Sequence, residues 1–206
     1  MNMKLTMPEL PAVALPPQGY CRRLFSKVEY WRMSDLGFFI DQKVELIAGE
    51  VIQMAAQGNR HTAGITLVAR ALDQVFQTGY WVRTQGTLDL TPSSMPDPDI
   101  AVVTGDPAHP DPEVPKTALL IVEVSDSTLS DDRNWKASLY AAAGITDYWI
   151  LNLQDNRLEI RRDPTPDATQ AFGHSYSTLT TLVAGDFASP LAAPTARVSV
   201  ADLLPG

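Results

Sequence analysis

The sequence has little cysteine, little positive charge and no long apolar run, and each shortage excludes a class of protein. Its single cysteine, Cys21, excludes an internal disulfide framework and a cysteine-rich zinc site, and is typical of a reducing cytoplasm. Lysine and arginine number 16 against 24 aspartates and glutamates, so any contact with nucleic acid has to be local. No apolar run approaches the roughly eighteen residues of a membrane span. We therefore expect a cytoplasmic protein without membrane contact.

The composition predicts one folded domain behind an irregular first segment. The chain has 206 residues and is 45% hydrophobic, which is enough for one sizeable core. Four prolines lie between Pro8 and Pro17, where they disfavour helices and central strands, so we expect residues 1–24 to form a proline-rich arm. Residues 25–206 are expected to form a single domain. From about residue 163 the chain is rich in proline and alanine, with short strand-like pieces such as YSTLTTL and ARVSV, which predicts an extension of that domain.

Helix and strand signals alternate along the chain and predict an α/β fold. Ile65, Val68, Leu72 and Phe76 fall at helical spacing and predict a helix over 60–77. Two more helices are expected, one in residues 26–36 and one from Ser130 or Asp131 to Ala143. Apolar runs bounded by turn residues predict a hairpin in residues 44–52 and strands within 80–90, 96–103, 117–124, 146–153 and 157–162.

The most apolar of these strands contains an acidic residue, Glu123. Burying a carboxylate costs several kcal/mol unless it is paired or bound to a cation. Asp99 begins the preceding strand, and if the two strands are antiparallel neighbours, the carboxylates of Asp99 and Glu123 lie side by side. Two carboxylates at short range repel unless a cation lies between them, and hard oxygen ligands favour Mg²⁺ or Mn²⁺. The two strands therefore predict a metal site.

Lys136 lies about one and a half turns into the helix that follows the Glu123 strand. A short connection would return this helix over the strand end, so that the ammonium group reaches the same site and orients a water or stabilises developing charge. Asp132, four residues earlier, offers a second interpretation, because an exposed pair at this spacing needs no active site.

These residues resemble a known motif. Pro98-Asp99 followed by Glu123-Val124-Ser125 resembles the PD-(D/E)XK nuclease superfamily, in which an aspartate and a glutamate hold Mg²⁺ and a lysine two residues after the glutamate assists the water. Ser125 stands where that lysine would be, which departs from the pattern.

A longer series of motifs resembles the Uma-type restriction endonuclease family, in which the lysine lies on the helix. The series runs over about residues 26–162, through VELIAGEVIQM, His61, PDPDIAVV, LLIVEVSDST, Asp132, Lys136, Tyr140 and GITDYWIL. Within it we expect Tyr140, one turn after Lys136, to be a packing residue. The resemblance implies that Asp99 and Glu123 are metal ligands, that Lys136 is the displaced lysine, and that Glu45 is a further acidic group near the metal.

Two accessory residues are also candidates. Asp97 lies two positions before Asp99, and with a strand period of two it would face the same side. His61 opens the helix predicted over 60–77, on the stripe that carries Ile65 and Val68.

The resemblance implies a restriction-endonuclease-like mixed β-sheet flanked by helices, and a Mg²⁺- or Mn²⁺-dependent endonuclease that hydrolyses phosphodiester bonds in DNA. Cutting both strands of a duplex suggests a homodimer. Two alternatives stay open from the residues themselves. The first is a nucleic-acid- or protein-binding module that kept the fold without catalysis. The second is a structural subunit in which Glu123 is simply paired with Lys136.

Overall fold

A computed structural model describes residue 19, residues 21–54 and residues 56–206. The proline-rich arm predicted for residues 1–24 therefore lies almost entirely outside the described residues. Helices and strands occur in the order α1 (Lys27–Asp35), β1 (Val44–Ile47), β2 (Glu50–Gln53), α2 (Asn59–Val75), β3 (Tyr80–Thr84), β4 (Ile100–Thr104), β5 (Leu120–Ser125), α3 (Leu129–Asp131), a π-helical turn (Asp132–Lys136), α4 (Ala137–Ala142), β6 (Asp147–Asn152), β7 (Arg157–Pro166), β8 (His174–Val183), β9 (Phe187–Ala188), β10 (Val198–Ser199) and a 3₁₀ helix (Val200–Leu203). Among the described helices, none has the length and apolar character to cross a membrane.

Six strands form the central sheet in the order β3-β4-β5-β6-β7-β8. Strands β5 and β6 are parallel, and every other neighbouring pair is antiparallel. A parallel pair needs a crossover connection, and α3, the π-helical turn and α4 supply it. The sheet is therefore mixed and flanked by helices, as the sequence predicted.

The two faces of the sheet are covered by different helices because strand side chains alternate. Val122 and Val124 of β5 belong to the core on the α2 side, whereas Ile121 packs in the core formed with Leu139 and Tyr140 of α4. By the same alternation, Glu123 faces the α4 side. A carboxylate thus lies in the middle of a strand that is buried on both faces.

Local sequence signals account for the bounds of several elements. Ser26 and Glu29 form a capping box that begins α1. The strand expected within 80–90 ends at Thr84, since Gln85 adopts a positive φ of 51° that breaks the extended backbone. At Gly64, α2 approaches β5 so closely that an added Cβ would lie 2.8 Å from Val124 Cγ1.

The segment after residue 163 is part of the sheet and core. Residue 163 lies inside β7, and β8 pairs with β7 as far as Pro166. Val198, Val200 and Leu203 are buried with the α2 core. These apolar side chains close the core beside α2, so the segment predicted as an extension completes the domain itself.

Candidate active site

Asp99, directly before β4, and Glu123, within β5, lie next to each other, as the antiparallel arrangement predicted. Ile100 pairs with Val122 across β4 and β5, which brings the preceding Asp99 opposite Glu123. The Asp99 amide donates to Glu123 Oε2 at 3.3 Å, and the Val124 amide donates to Asp99 Oδ2 at 2.9 Å. Both residues are buried, with 4% and 2% of their surface exposed.

Lys136 reaches Glu123 from the crossover. Its Nζ donates to Glu123 Oε1 at 3.0 Å and lies 3.8 Å from Asp132 Oδ1. The interpretation of Lys136 and Asp132 as an exposed pair is wrong, because 9% of Lys136 and 2% of Asp132 are exposed. The connection after β5 turns the helix back over the strand end, and both side chains therefore point inward.

Tyr140 belongs to the same network, although the sequence predicted only a packing role for it. Its hydroxyl donates to Glu123 Oε1 at 2.6 Å, the same oxygen that accepts from Lys136. The available signal was its spacing of four residues from Lys136. An apolar helix face offers the same spacing to ordinary core residues, so that signal alone does not separate the two roles.

The π-helical turn aligns Asp132, Lys136 and Tyr140. On a regular α-helix, with about 3.6 residues per turn, residues eight apart are about 80° out of line. The wider π turn over Asp132–Lys136 offsets this drift. As a result, the three side chains, each one turn apart, all face the end of β5.

His61 and Gln85 hold the outer side of Asp99. His61 Nε2 lies 3.2 Å from Asp99 Oδ2, and Gln85 Nε2 donates to Asp99 Oδ1 at 3.4 Å. His61 Nδ1 is buried and has no hydrogen-bond partner among the described residues. The predicted accessory histidine therefore contacts a candidate ligand directly.

Glu45 and Asp97 occupy different places. Glu45 in β1 is buried and lines the cavity described below. The backbone amide of Asp97 donates to Glu45 Oε2 at 3.2 Å. Asp97 itself is not one of the described residues that line the cavity. The contribution of Asp97 in this structure is to orient Glu45 through its backbone.

These residues line a cavity of about 260 Å³ between β1, α2 and the crossover. Two basic side chains contribute to its lining, Lys136 and His61. Six acidic side chains surround it, namely Glu45, Asp99, Glu123, Asp126, Asp131 and Asp132. The cavity is therefore strongly anionic.

Asp99 and His61 stabilise each other's charge. Burial favours the neutral form of both, but the hydrogen bond and the charge of His61 outweigh it and lower the pKa of Asp99. In return, Asp99 raises the pKa of His61 above its ordinary value despite burial. The pair favours an ionised carboxylate at the rim.

The pKa values of Glu123, Glu45 and Lys136 are also shifted. Burial raises the pKa of Glu123 to about 8 against the opposing charge of Lys136, and neighbouring Asp99 adds to the rise. Burial also raises the pKa of Glu45. Burial lowers the pKa of Lys136, but the negative charges of Glu123, Glu45 and Asp132 outweigh burial and raise the pKa above its ordinary value. Negative charge in this cavity is thus incompletely compensated.

The donor set fits a hard divalent cation. Carboxylate oxygens are the ligands that Mg²⁺ and Mn²⁺ prefer, and Mg²⁺ keeps several waters, so one or two carboxylates are enough. Among the described residues, no three His, Cys, Asp or Glu side chains form a ready metal cluster. Asp99 and Glu123 are the pair that would hold such an ion, with Glu45 beside them.

Ser125 does not replace the lysine whose position it takes. It is fully buried, and its Oγ has no hydrogen-bond partner within the described part of the chain. The ammonium group near Glu123 comes from Lys136 instead, on a different element.

Comparisons with known proteins agree with the fold. The family model described as "Uma2: Putative restriction endonuclease" matches residues 29–200. A solved structure from Anabaena variabilis ATCC 29413, described as "a putative nuclease belonging to DUF820", superposes with a TM-score of 0.61 at 13% identity, over 79% of this chain and 90% of that chain. A comparison with curated proteins found no match. The structural likeness confirms the predicted mixed sheet with its flanking helices.

Proposed function

Since the chain belongs to the Uma2 family, whose description reads "Putative restriction endonuclease", we propose that it is a Mg²⁺-dependent endonuclease that hydrolyses phosphodiester bonds in DNA. The observation that carries the proposal is the 3.0 Å contact between Lys136 Nζ and Glu123 Oε1. It supplies, from the crossover, the ammonium group that Ser125 does not provide.

The protein groups have separate roles in this proposal. Asp99 and Glu123 hold the cation, and Glu45 adds negative charge beside them. The cation supplies Lewis acidity at the phosphate and lowers the pKa of a bound water. Lys136 positions the Glu123 carboxylate and offsets charge that develops on the phosphate oxygens. Water attacks phosphorus and loses a proton to solvent, the bond to the leaving oxygen breaks, and that oxygen takes up a proton from solvent, so that no net proton is gained or lost.

His61 and Tyr140 act as positioning residues. His61 fixes the Asp99 carboxylate from the α2 side, at 3.2 Å. Tyr140 fixes Glu123 Oε1 from α4, at 2.6 Å. Ligands held by neighbouring hydrogen bonds keep their orientation when a cation binds.

Plasmid cleavage with Mg²⁺ or Mn²⁺ tests the proposal. Asp99→Asn, Glu123→Gln and Lys136→Met should each lower the cleavage rate by about 10²–10³-fold, the usual cost of losing one preorganised electrostatic group. Glu113→Gln is the matched control, since this exposed glutamate is paired with Lys116 far from the cavity.

Each variant is assayed at a temperature where circular dichroism shows it folded. Cleavage that persists at the wild-type rate in all three site variants would overturn the proposed mechanism. A homodimer belongs to the proposal because a chain with one site cuts one strand at a time, and sedimentation velocity measures its presence.

A binding module without catalysis is the second candidate, and one observation favours it. Both oxygens of Glu123 are already engaged, Oε1 by Lys136 and Tyr140 and Oε2 by the Asp99 amide. Calorimetry with Mg²⁺ separates the two candidates. The nuclease predicts binding that Asp99→Asn abolishes, whereas the module predicts no such binding.

A further inference from the structure

A second and larger cavity, of about 630 Å³, lies against the same crossover. Asp132 and Lys136 of the π-helical turn line the first cavity, and Arg133 and Asn134 of the same turn line the second. The second cavity carries Arg133, Arg161 and His174, and none of the described residues that line it is acidic. Its electrostatic character is therefore the opposite of that of the first cavity.

Arg161 is the most informative residue of this second cavity. Only 17% of its side chain is exposed, and its Nε is buried without a hydrogen-bond partner among the described residues. The carboxylate of Glu159 lies 3.8 Å from Arg161 Nη2, which is beyond hydrogen-bonding distance. Because Nε is closed to solvent, an anion in the cavity would contact the exposed end of the guanidinium.

Glu159 is not free to be that anion. Arg133 Nε donates to Glu159 Oε2 at 2.9 Å, and Asn152 Nδ2 donates to Oε1 at 3.0 Å. Burial opposes ionisation of Glu159, but these hydrogen bonds outweigh it and lower its pKa. The charge of Glu159 is thus shared among Arg133, Arg157 and Arg161, so the three guanidinium groups carry more positive charge than this one carboxylate balances.

The lining suits a phosphate group. A guanidinium binds phosphate oxygens through two parallel hydrogen bonds, and hydroxyl and amide groups complete such sites. Ser127, Gln170 and Ser175 provide these groups around Arg161. The ring of Tyr176 is stacked on Tyr148, with centroids 5.9 Å apart, which covers one of its two faces.

The two cavities share one lining residue. Ser127, in the loop between β5 and α3, lines both of them. A nucleic-acid strand whose reacting phosphate lies beside Asp99 and Glu123 would pass Ser127 and bring a flanking phosphate towards Arg161. In a chain with a net charge of −8, this is the kind of local cationic surface that such a strand requires.

We propose that the Arg161 cavity binds a backbone phosphate that flanks the cleaved one and so fixes the path of the DNA strand across the crossover. This inference rests on the proposed nuclease function. It assigns Arg161 to substrate binding, separately from the groups that perform hydrolysis.

Fluorescence anisotropy with a fluorescein-labelled DNA duplex tests the inference, in EDTA so that no cleavage occurs. Arg161→Gln should weaken binding by about ten- to a hundredfold, the usual effect of losing a hydrogen bond to a charged group. The slope of log affinity against log salt should fall by about one, because one phosphate contact is lost. Arg70→Gln, on the exposed face of α2 and outside both cavities, should change neither quantity.

A second variant keeps the test decisive if Arg161→Gln does not fold. Ser130→Asp places a carboxylate on an exposed residue that lines the same cavity, and an acidic residue near a helix start is well tolerated. It should weaken binding at least tenfold by repelling the phosphate. An equal affinity of both variants and the wild type would overturn the inference.

Two further arms separate the sources of failure. In the first arm, inorganic phosphate raises the melting temperature of the wild type but not of Arg161→Gln, while the two proteins bind DNA equally well. That result would show a site for a free anion and overturn the inference. Wild-type protein that cleaves plasmid while Arg161→Gln binds DNA normally leaves the nuclease proposal intact and removes only the inference. Wild-type protein that neither binds nor cleaves DNA overturns both.

Discussion

Replacing Lys136 by methionine is the sharpest test of the buried network. Methionine has a similar length but no charge, so Lys136→Met leaves Glu123 and Asp132 buried without their cationic partner. Lys136 is 9% exposed and its Nζ lies 3.0 Å from Glu123 Oε1. Removing one member of a buried ion pair typically costs about 3–5 kcal/mol of unfolding free energy. That is a large share of the about 5–15 kcal/mol by which a domain is stable.

Thermal unfolding followed by circular dichroism measures this loss. For a domain of about this size, 1 kcal/mol shifts the midpoint by about 2–4 °C, so Lys136→Met should melt about 6–20 °C lower than wild type. The double variant Glu123→Gln/Lys136→Met removes both charges and should recover much of the difference. Lys116→Met, at an exposed pair with Glu113, should melt like the wild type.

Magnesium gives the same experiment a second outcome. A divalent cation bound by Asp99 and Glu123 would replace the missing charge, so Mg²⁺ should raise the midpoint of Lys136→Met more than that of wild type. The reasoning is refuted if Lys136→Met melts with the wild type, or if the double variant is less stable than Lys136→Met alone.

Three further changes have defined outcomes. Tyr140→Phe removes the hydroxyl that donates to Glu123 at 2.6 Å and should lower the unfolding free energy in urea by about 1.5–3 kcal/mol; wild-type stability would contradict this role. Gly64→Ala places a Cβ 2.8 Å from Val124 Cγ1, and overpacking of about 1–3 kcal/mol should exceed the about 1 kcal/mol that alanine gains in a helix; a more stable variant would contradict the close approach. The pKa of Glu159 lies below the usual 4.5 of a glutamate, so ionised Glu159 stabilises the folded state above pH 4.5. This contribution is lost as the pH falls through the lowered pKa. Glu159→Gln should therefore flatten the acid limb of stability against pH, and an unchanged limb would assign that limb to other groups.

The pairing of Asp99 with Glu123 was predictable because it depends on local patterns. Each residue sits at a recognisable end of an apolar strand, and one assumption, that the strands are antiparallel neighbours, brings them together. The helix at Ile65 was predictable for the same reason, since its apolar period is clear over about three turns, from Ile65 to Phe76. Patterns confined to one element are readable from the chain alone.

The rest of the site depends on how distant elements turn towards each other. Asp132 and Lys136 at a spacing of four residues look the same on an exposed helix as on a buried one, and the direction of the crossover decides between them. Tyr140 was missed because a tyrosine on an apolar helix face packs or donates with the same sequence signal. The strand-like pieces at residues 176–182 and 196–200 were visible in the sequence, but no local pattern shows that Val198 and Val200 pack against the core beside α2.

The π-helical turn has a consequence for the length of this segment that its composition does not reveal. The turn holds one residue more than a regular helix would, so deleting one residue between Asp132 and Lys136 would let a regular helix form with Tyr140 seven residues after Asp132, only about 20° out of line. A regular helix that kept every residue would instead leave Tyr140 about 80° out of line. We expect chains of common descent to keep the π turn or to lack one residue of it, and not to hold the same number of residues in a regular helix.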